Sequence, residues 1–141
     1  MVKKRRILII IPEDELSRAF GWFRKGMDEW AIRAYLIKQP GIVEEGLSLQ
    51  HFIGFNIYFQ NKQEVDMLFG KNGTYYVIET KQKGKYYQGW KYLAATVDSF
   101  EAEMNERKEP LEEIVAVLAT SSIRQEHLSA EKLDWFEEPL E

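Results

Sequence analysis

The dipeptide Asn72-Gly73 lies between two apolar segments, and this arrangement constrains the fold more than any other feature of the sequence. Residues 64–69 precede the dipeptide and residues 75–81 follow it, and both segments are rich in β-branched and aromatic side chains. Asn-Gly favours a two-residue turn between antiparallel strands, because both of its residues tolerate positive φ. We therefore predict a β-hairpin that turns at 71–74, with its two strands as direct neighbours in a sheet.

The segments on either side of this hairpin predict a mixed α/β protein. Apolar residues recur every three or four positions in the helical segments and at shorter spacing in the strands. The expected elements are a strand or extended arm at 7–11, helical structure at 13–39 with a break near Gly26, strands at 47–51, 52–60, 64–69 and 75–81, a helix at 88–107, a buried strand at 114–119 and a short helix at 126–136. A hairpin followed by a helix and a returning strand is typical of a mixed sheet with helices on its faces.

Helical spacing also predicts which side chains face the core. In the first helical segment the apolar stripe consists of Leu16, Phe20, Phe23, Met27, Trp30, Ala34 and Ile37, and in the second it consists of Tyr92, Ala95, Val97 and Phe100. We interpret the aromatic residues of 13–39 as part of the core, in preference to a surface on which nucleic-acid bases stack.

Length and composition favour one domain and exclude several kinds of site. For a chain of 141 residues we expect a single domain over 1–141, in which 1–12 form an N-terminal strand or arm and 125–141 a C-terminal helix and acidic tail. The absence of Cys excludes disulfides and a thiol nucleophile, and 2 His residues exclude a multi-His metal site. A formal net charge of -4 excludes a protein that is basic throughout, although it allows a local basic patch.

The N-terminal sequence resembles the start of a signal peptide. Basic residues 3–6 precede an apolar run at 7–11, but Pro12 ends this run before it reaches the length of a signal peptide. No apolar stretch approaches the roughly 20 residues that a membrane helix needs. We therefore expect a cytoplasmic protein with no membrane partner, and we interpret residues 3–6 as a solvated flank in preference to a nucleic-acid contact.

Three charged residues occur in strands whose other residues are mostly apolar. Asp66 lies in the first strand of the hairpin, and Glu79 and Lys81 lie at the end of the second. Residues two apart in a strand point to the same face, roughly 6–7 Å from each other. Because the hairpin makes the two strands antiparallel neighbours, Asp66 is expected opposite Glu79. Two carboxylates and one amine would then converge.

Converging carboxylates favour a divalent cation, because without one they repel and one of them must hold a proton. Mg²⁺ prefers oxygen ligands and retains several waters, and a bound metal can activate a water against a phosphodiester. Each residue also has a structural interpretation. Asp66 could protect an edge strand from pairing, and Glu79 and Lys81 could alternate toward solvent on a half-buried strand.

The ordered set of an apolar-Asp pair, a turn, an apolar-apolar-Glu-x-Lys segment and a helix resembles the PD-(D/E)XK nuclease superfamily. Val65-Asp66 and residues 77–81 match its two strand motifs, and 88–92 is similar to the Gln-x-x-x-Tyr motif of RecB-type members. Upstream, Glu29 and the stretch 34–47 are similar to the first helix of NucS-type DNA endonucleases. The resemblance implies a restriction-endonuclease-like mixed central sheet flanked by helices.

The resemblance also implies a role for each matched residue. Asp66 and Glu79 would bind Mg²⁺ or Mn²⁺, Lys81 would be the catalytic lysine, and Gln88 and Tyr92 would position the metal site or the substrate backbone. Glu29 would be the helix carboxylate that reaches the metal or its water; the alternatives for this position are Asp28, Glu44 and Glu45. The implied function is metal-dependent hydrolysis of DNA phosphodiester bonds, as an endonuclease.

A basic and aromatic stretch follows the second strand motif and is a candidate nucleic-acid interface. Its residues are Lys83, Lys85, Tyr86, Trp90 and Lys91. Lysines can contact phosphates and aromatic rings can stack on unpaired bases, although the lysines could also belong to an exposed loop. Two other functions stay open, namely a non-catalytic nucleic-acid-binding or assembly module and an RNA-processing nuclease. The expected partner is DNA, no organic cofactor is expected, and a homodimer stays open.

Overall fold

A computed structural model of the chain describes residues 4–10, 29–81 and 86–120. These residues form five strands and two α-helices. In chain order they are β1 (Lys4–Ile10), α1 (Glu29–Lys38), β2 (Phe52–Tyr58), β3 (Glu64–Lys71), β4 (Thr74–Lys81), α2 (Tyr86–Glu106) and β5 (Glu113–Thr120). Two short 3₁₀ turns, Pro40–Ile42 and Leu49–His51, lie between α1 and β2.

The five strands form one mixed sheet in the order β1-β5-β4-β3-β2. β2, β3 and β4 are an antiparallel meander, whereas β5 lies parallel to both β4 and β1. Parallel neighbours need a crossover connection, and α2 provides it between β4 and β5. The prediction of a mixed α/β protein with helices on a mixed sheet is confirmed at this level.

The hairpin between β3 and β4 has the predicted turn. Lys71 pairs with Thr74, and the two residues between them have positive φ, 52° at Asn72 and 84° at Gly73. Positive φ at both central residues is the signature of a type I′ turn, whose twist matches that of the strands. The Gly73 carbonyl also accepts the backbone N–H of Glu112 at 2.9 Å, so the turn holds the loop that enters β5.

One helix covers each face of the sheet, and side chains alternate between the two faces. On the α2 face, Leu93 and Val97 belong to the same apolar cluster as Val77 of β4. On the α1 face, Ile32 belongs to the same apolar cluster as Ile78 of β4. β4 and β5 are therefore buried on both sides, which explains their nearly continuous apolar sequences.

The predicted apolar stripe of the first helical segment is correct at Ile37, which is half-buried against the apolar cluster on the α1 face, and wrong at Trp30 and Ala34. Trp30 is 62% exposed and Ala34 is exposed, whereas Ile32, Arg33 and Leu36 are buried. The prediction extended the apolar spacing that begins at residue 16 into α1, but contact with the sheet determines which side of α1 is buried. Its members Leu16, Phe20, Phe23 and Met27 lie outside the described residues, as does the break expected near Gly26.

The predicted stripe of α2 is correct at two positions and wrong at two. Val97 and Phe100 are buried as expected, and they are joined there by Leu93 and Thr96. Tyr92 is 37% exposed and Ala95 is exposed, because both lie on the side of α2 that faces away from the sheet.

The strand expected at 47–51 is also wrong. Residues Leu49–His51 form a 3₁₀ turn, and the backbone N–H of Ser48 donates to His51 Nδ1 at 3.0 Å. This local side-chain bond occupies a backbone donor that a strand would use in its ladder. The helix expected at 126–136 lies outside the described residues. Within the described part of the chain, no helix is long and apolar enough to cross a membrane.

Candidate metal-binding and catalytic site

The candidate site lies where β3 separates from β4. The last register pair of their ladder is Met67 with Ile78, and the next residues along the two strands are Asp66 and Glu79. At this point the backbone N–H of Thr80 donates to Asp66 Oδ2 at 2.8 Å. The Asp66 carboxylate therefore satisfies a β4 donor where the backbone of β3 moves away. Both acids are buried, with 5% of Asp66 and 2% of Glu79 exposed.

Glu79 and Lys81 project from the same face of β4. Val77 belongs to the apolar cluster on the α2 face, and alternation places Glu79 and Lys81 on that face as well. Lys81 Nζ lies 3.7 Å from Glu79 Oε1, and the Lys81 side chain is 24% exposed against 3% for Glu79. The Lys81 side chain is therefore partly accessible to solvent, while its ammonium group lies next to a buried carboxyl group.

The environment of Glu79 favours its neutral form. Burial raises its pKa to about 9, and the charge of Asp66, a hydrogen bond with Asp66 and the charge of Glu29 act in the same direction, against the opposing effect of Lys81. Oε2 of Glu79 is buried and accepts no hydrogen bond from the residues that the structure describes. At neutral pH the metal-free Glu79 is therefore protonated and can donate to the Asp66 carboxylate.

Asp66 is held by a closed ring of polar contacts. Arg33 Nη2 lies 3.0 Å from Asp66 Oδ1, and Arg33 Nε donates to Thr80 Oγ1 at 3.0 Å. Thr80 Oγ1 in turn donates to Asp66 Oδ2 at 3.0 Å. A carboxylate oxygen has two acceptor positions. Among the described residues, the two donors of Thr80 fill those of Oδ2. Arg33 contacts Oδ1, and the second position of Oδ1 can accept either the Glu79 proton or an ion.

Arg33 was not among the residues singled out from the sequence. Its Nη1 donates to Asn56 Oδ1 at 3.4 Å, and its guanidinium carbon lies 4.4 Å from the centroid of the Trp30 ring. Asn56 has a φ of 50° and lies opposite Asp66, between the register pairs Phe55–Met67 and Ile57–Val65. The sequence does place this charged residue among the apolar residues Ile32 and Leu36. Whether Arg33 is buried or exposed, however, depends on which side of α1 packs against the sheet.

Glu29 lies in the first turn of α1 and is close enough for its charge to raise the pKa of Glu79. Of the alternatives to Glu29, Glu44 accepts two bonds from the Arg6 guanidinium, at 2.6 and 2.8 Å, and one from the Tyr76 hydroxyl. Arg6 lowers the pKa of Glu44 to about 2, so this carboxylate belongs to a separate ion-paired cluster. Glu45 is exposed, and Asp28 lies outside the described residues.

The remaining predicted site residues lie in or before α2. Gln88, Tyr86 and Trp90 are in the first half of this helix, but their side chains lie outside the described part of the structure, as do Lys83 and Lys85 altogether. Lys91 is exposed. Tyr92 is partly exposed and interacts electrostatically with Tyr58 at the end of β2.

The basic residues of β1 are engaged within the protein. Arg5 lies 3.0 Å from Glu101 and 3.2 Å from Asp98, and Arg6 binds Glu44 and Glu113. Lys4 Nζ lies 3.4 Å from the Glu113 carboxylate. The expectation of a solvated flank is therefore wrong for Arg5, whose side chain is only 11% exposed because its ion pairs with α2 bury it.

The donor set at the junction of β3 and β4 consists of carboxylate oxygens, which suit Mg²⁺ or Mn²⁺. Two acceptor positions are available to an ion, one on Asp66 Oδ1 and one on the buried Oε2 of Glu79. Within residues 4–10, 29–81 and 86–120, no three His, Cys, Asp or Glu side chains are grouped so that they could hold a metal together. The residues therefore fit an ion that takes two protein ligands and completes its coordination with water.

Comparisons with protein-family models, with curated proteins and with solved structures gave no significant match. The function of the chain is therefore inferred from the geometry of Asp66, Glu79 and Lys81 and from the resemblance of their sequence motifs.

Proposed function

We propose that the chain is a restriction-endonuclease-like domain and a metal-dependent nuclease that hydrolyses DNA phosphodiester bonds. The observation that supports this most strongly is the adjacency of two buried carboxyl groups, one of which has an oxygen that receives no hydrogen bond from the described residues. A polar atom buried without a partner costs free energy, and such sites are enriched where a protein binds a ligand or performs chemistry.

Each described residue of the site has a role in this proposal. Asp66 and Glu79 hold the metal, which when bound polarises the phosphate and lowers the pKa of an attacking water. Lys81 extends from the buried carboxyl group toward the surface, where its ammonium group stabilises the negative charge that develops on the phosphate oxygens. Thr80 and Arg33 fix the orientation of the Asp66 carboxylate, and Glu29 adds negative charge that attracts the cation.

DNA is favoured as the substrate by the sequence resemblance. In the proposal, Lys91 and the neighbouring residues Lys83, Lys85, Tyr86 and Trp90 contact the nucleic acid, with Gln88 and Tyr92 as positioning residues. Few lysines contribute and the chain is acidic overall, so affinity for DNA is expected to be modest and to fall steeply with salt concentration.

A second candidate function is a nucleic-acid-binding or assembly module that does not cleave. The observation that favours it is the direct ion pair between Arg33 and Asp66, since a cation already neutralises one of the two carboxylates. The two functions differ in whether bound DNA is cut when Mg²⁺ or Mn²⁺ is present.

The test is a cleavage assay on labelled single-stranded, duplex, branched and mismatched DNA, and on RNA, with Mg²⁺ or Mn²⁺. Asp66→Asn, Glu79→Gln and Lys81→Met, which preserve side-chain size, should each lower the cleavage rate by about 100-fold or more, as losses of catalytic charge commonly do. Exposed residues of the same types supply the controls Glu45→Gln and Lys38→Met, which should cut like the wild type.

The outcomes of this assay distinguish between the candidate functions. Cleavage that persists in EDTA, or in all three site variants, contradicts the proposal. Binding of DNA without cleavage, in the presence of either metal, supports the non-catalytic module. Preferential cleavage of RNA in competition with DNA identifies an RNA-processing enzyme.

A further inference from the structure

Arg33 is buried beside the candidate metal site and is fixed there from several directions. Only 7% of its side chain is exposed, and the same fraction applies to Asp66, its ion-pair partner. Thr80, Asn56 and the face of the Trp30 ring hold the rest of the guanidinium group. Arg33 keeps these three contacts if its Nη2 gives up Asp66.

The guanidinium group and a divalent cation require the same carboxylate oxygen. The two donors of Thr80 fill the acceptor positions of Asp66 Oδ2, so an ion must bind at Oδ1, which Arg33 contacts at 3.0 Å. Two cations on one oxygen repel each other, and burial weakens the screening of that repulsion by water. Lys81, 3.7 Å from the other carboxyl group, adds a further positive charge.

We propose that Arg33 competes with the divalent metal for Asp66 and thereby sets the affinity of the site for that metal. In the metal-free protein Arg33 is a positioning residue, because it keeps the Asp66 carboxylate oriented and neutralised in a buried place. The inference relies on the proposed function, since it assumes that Asp66 is a metal ligand.

The experiment is calorimetric titration with Mn²⁺ alone, in the absence of nucleic acid, so that the readout is metal affinity rather than activity. Arg33→Met preserves much of the side-chain volume and removes the charge, and it should bind Mn²⁺ roughly 10- to 100-fold more tightly than the wild type, a typical size for coupling between two ligands. Arg33→Lys keeps a cation and should bind close to the wild-type affinity. Arg107, whose side chain is 62% exposed and pairs with Glu103, supplies the control Arg107→Met, which should leave the affinity unchanged.

The outcomes separate this inference from the proposed function. Equal or weaker Mn²⁺ binding by Arg33→Met, in a protein whose wild type binds Mn²⁺, overturns the competition and leaves the metal site standing. Absence of Mn²⁺ binding in both the wild type and Arg33→Met overturns both. Tighter Mn²⁺ binding by Arg33→Met, together with near wild-type affinity in Arg33→Lys, supports the competition. This pair of results would show that the positive charge at position 33 weakens Mn²⁺ binding.

A measurement on the wild type covers the case in which Arg33→Met does not fold. Nuclear magnetic resonance detects the Nε–Hε group of Arg33, which can be assigned by its absence from the spectrum of Arg33→Lys. Saturating Mg²⁺ should shift this resonance, because the Asp66 contact on the same guanidinium group is lost. An unchanged resonance at a Mg²⁺ concentration that saturates binding contradicts the proposal.

Discussion

Binding of Mg²⁺ or Mn²⁺ at pH 7 should release close to one proton from Glu79. Burial and the neighbouring Asp66 charge raise the pKa of this carboxyl group to about 9, so at pH 7 all but about one molecule in a hundred carries the proton. A metal ligand must be deprotonated, and two pH units below its pKa the deprotonation of Glu79 costs roughly 3 kcal/mol. The apparent metal affinity should therefore rise about 100-fold between pH 6 and pH 8.

Calorimetry in two buffers of different ionisation enthalpy measures the number of protons released for each ion bound. Glu45→Gln should release the same number as the wild type, because Glu45 is exposed and lies outside the site. Glu79→Gln, which carries no titratable group, should bind metal weakly and without this proton release. A release near zero in the wild type, with an affinity that does not change between pH 6 and pH 8, would show that the metal does not displace a proton from Glu79.

The raised pKa of Glu79 also predicts how the metal-free protein responds to pH. The folded state retains the proton up to about pH 9, whereas the unfolded chain releases it near 4.5. The contribution of this group to the unfolding free energy is therefore complete below about 4.5 and is lost as the pH rises toward 9. Urea denaturation at pH 5 and pH 8 should show this loss in the wild type and a smaller loss in Glu79→Gln.

Two further predictions concern residues away from the candidate site. Arg6 lowers the pKa of Glu44 to about 2, so this carboxylate stabilises the fold above about pH 4.5 and loses its effect as the pH falls toward 2. Acid titration of Glu44→Gln, followed by circular dichroism, should therefore show a shallower loss of stability than that of the wild type. Identical titration curves for the two proteins would exclude this role. Gly73 has a φ of 84°, and a Cβ there would lie 2.9 Å from the Glu112 side chain; Gly73→Ala should lower the unfolding free energy by about 1–3 kcal/mol, and an unchanged urea midpoint would contradict the assigned turn.

The hairpin and the central strands could be predicted from sequence because their signals are local. Asn72-Gly73 specifies its own backbone conformation, and the apolar run of β5 needs only burial on both faces to be recognised. The adjacency of Asp66 and Glu79 followed from the same hairpin, since one turn of known length fixes which residues lie opposite each other.

The features that sequence analysis missed depend on contacts between distant segments. The buried side of α1 is set by the sheet, so the exposed Trp30 and the buried Arg33 could not be assigned from spacing alone. The ion pair of Arg33 with Asp66 joins α1 to β3, and no motif in either segment encodes it. The 3₁₀ turn at Leu49–His51 depends on a side-chain bond within a segment whose composition is equally compatible with a strand.

The central claim is that the carboxyl groups of Asp66 and Glu79 bind one divalent cation between them. The most direct measurement is the anomalous diffraction of a crystal soaked in Mn²⁺, with a crystal of Asp66→Asn as the control. An anomalous peak is expected within bonding distance of Asp66 Oδ1 and Glu79 Oε2 in the wild type, roughly 2.0–2.2 Å for a small octahedral ion, and none there in the variant. A wild-type crystal without a peak at these two oxygens, at a Mn²⁺ concentration that supports cleavage, would contradict this claim.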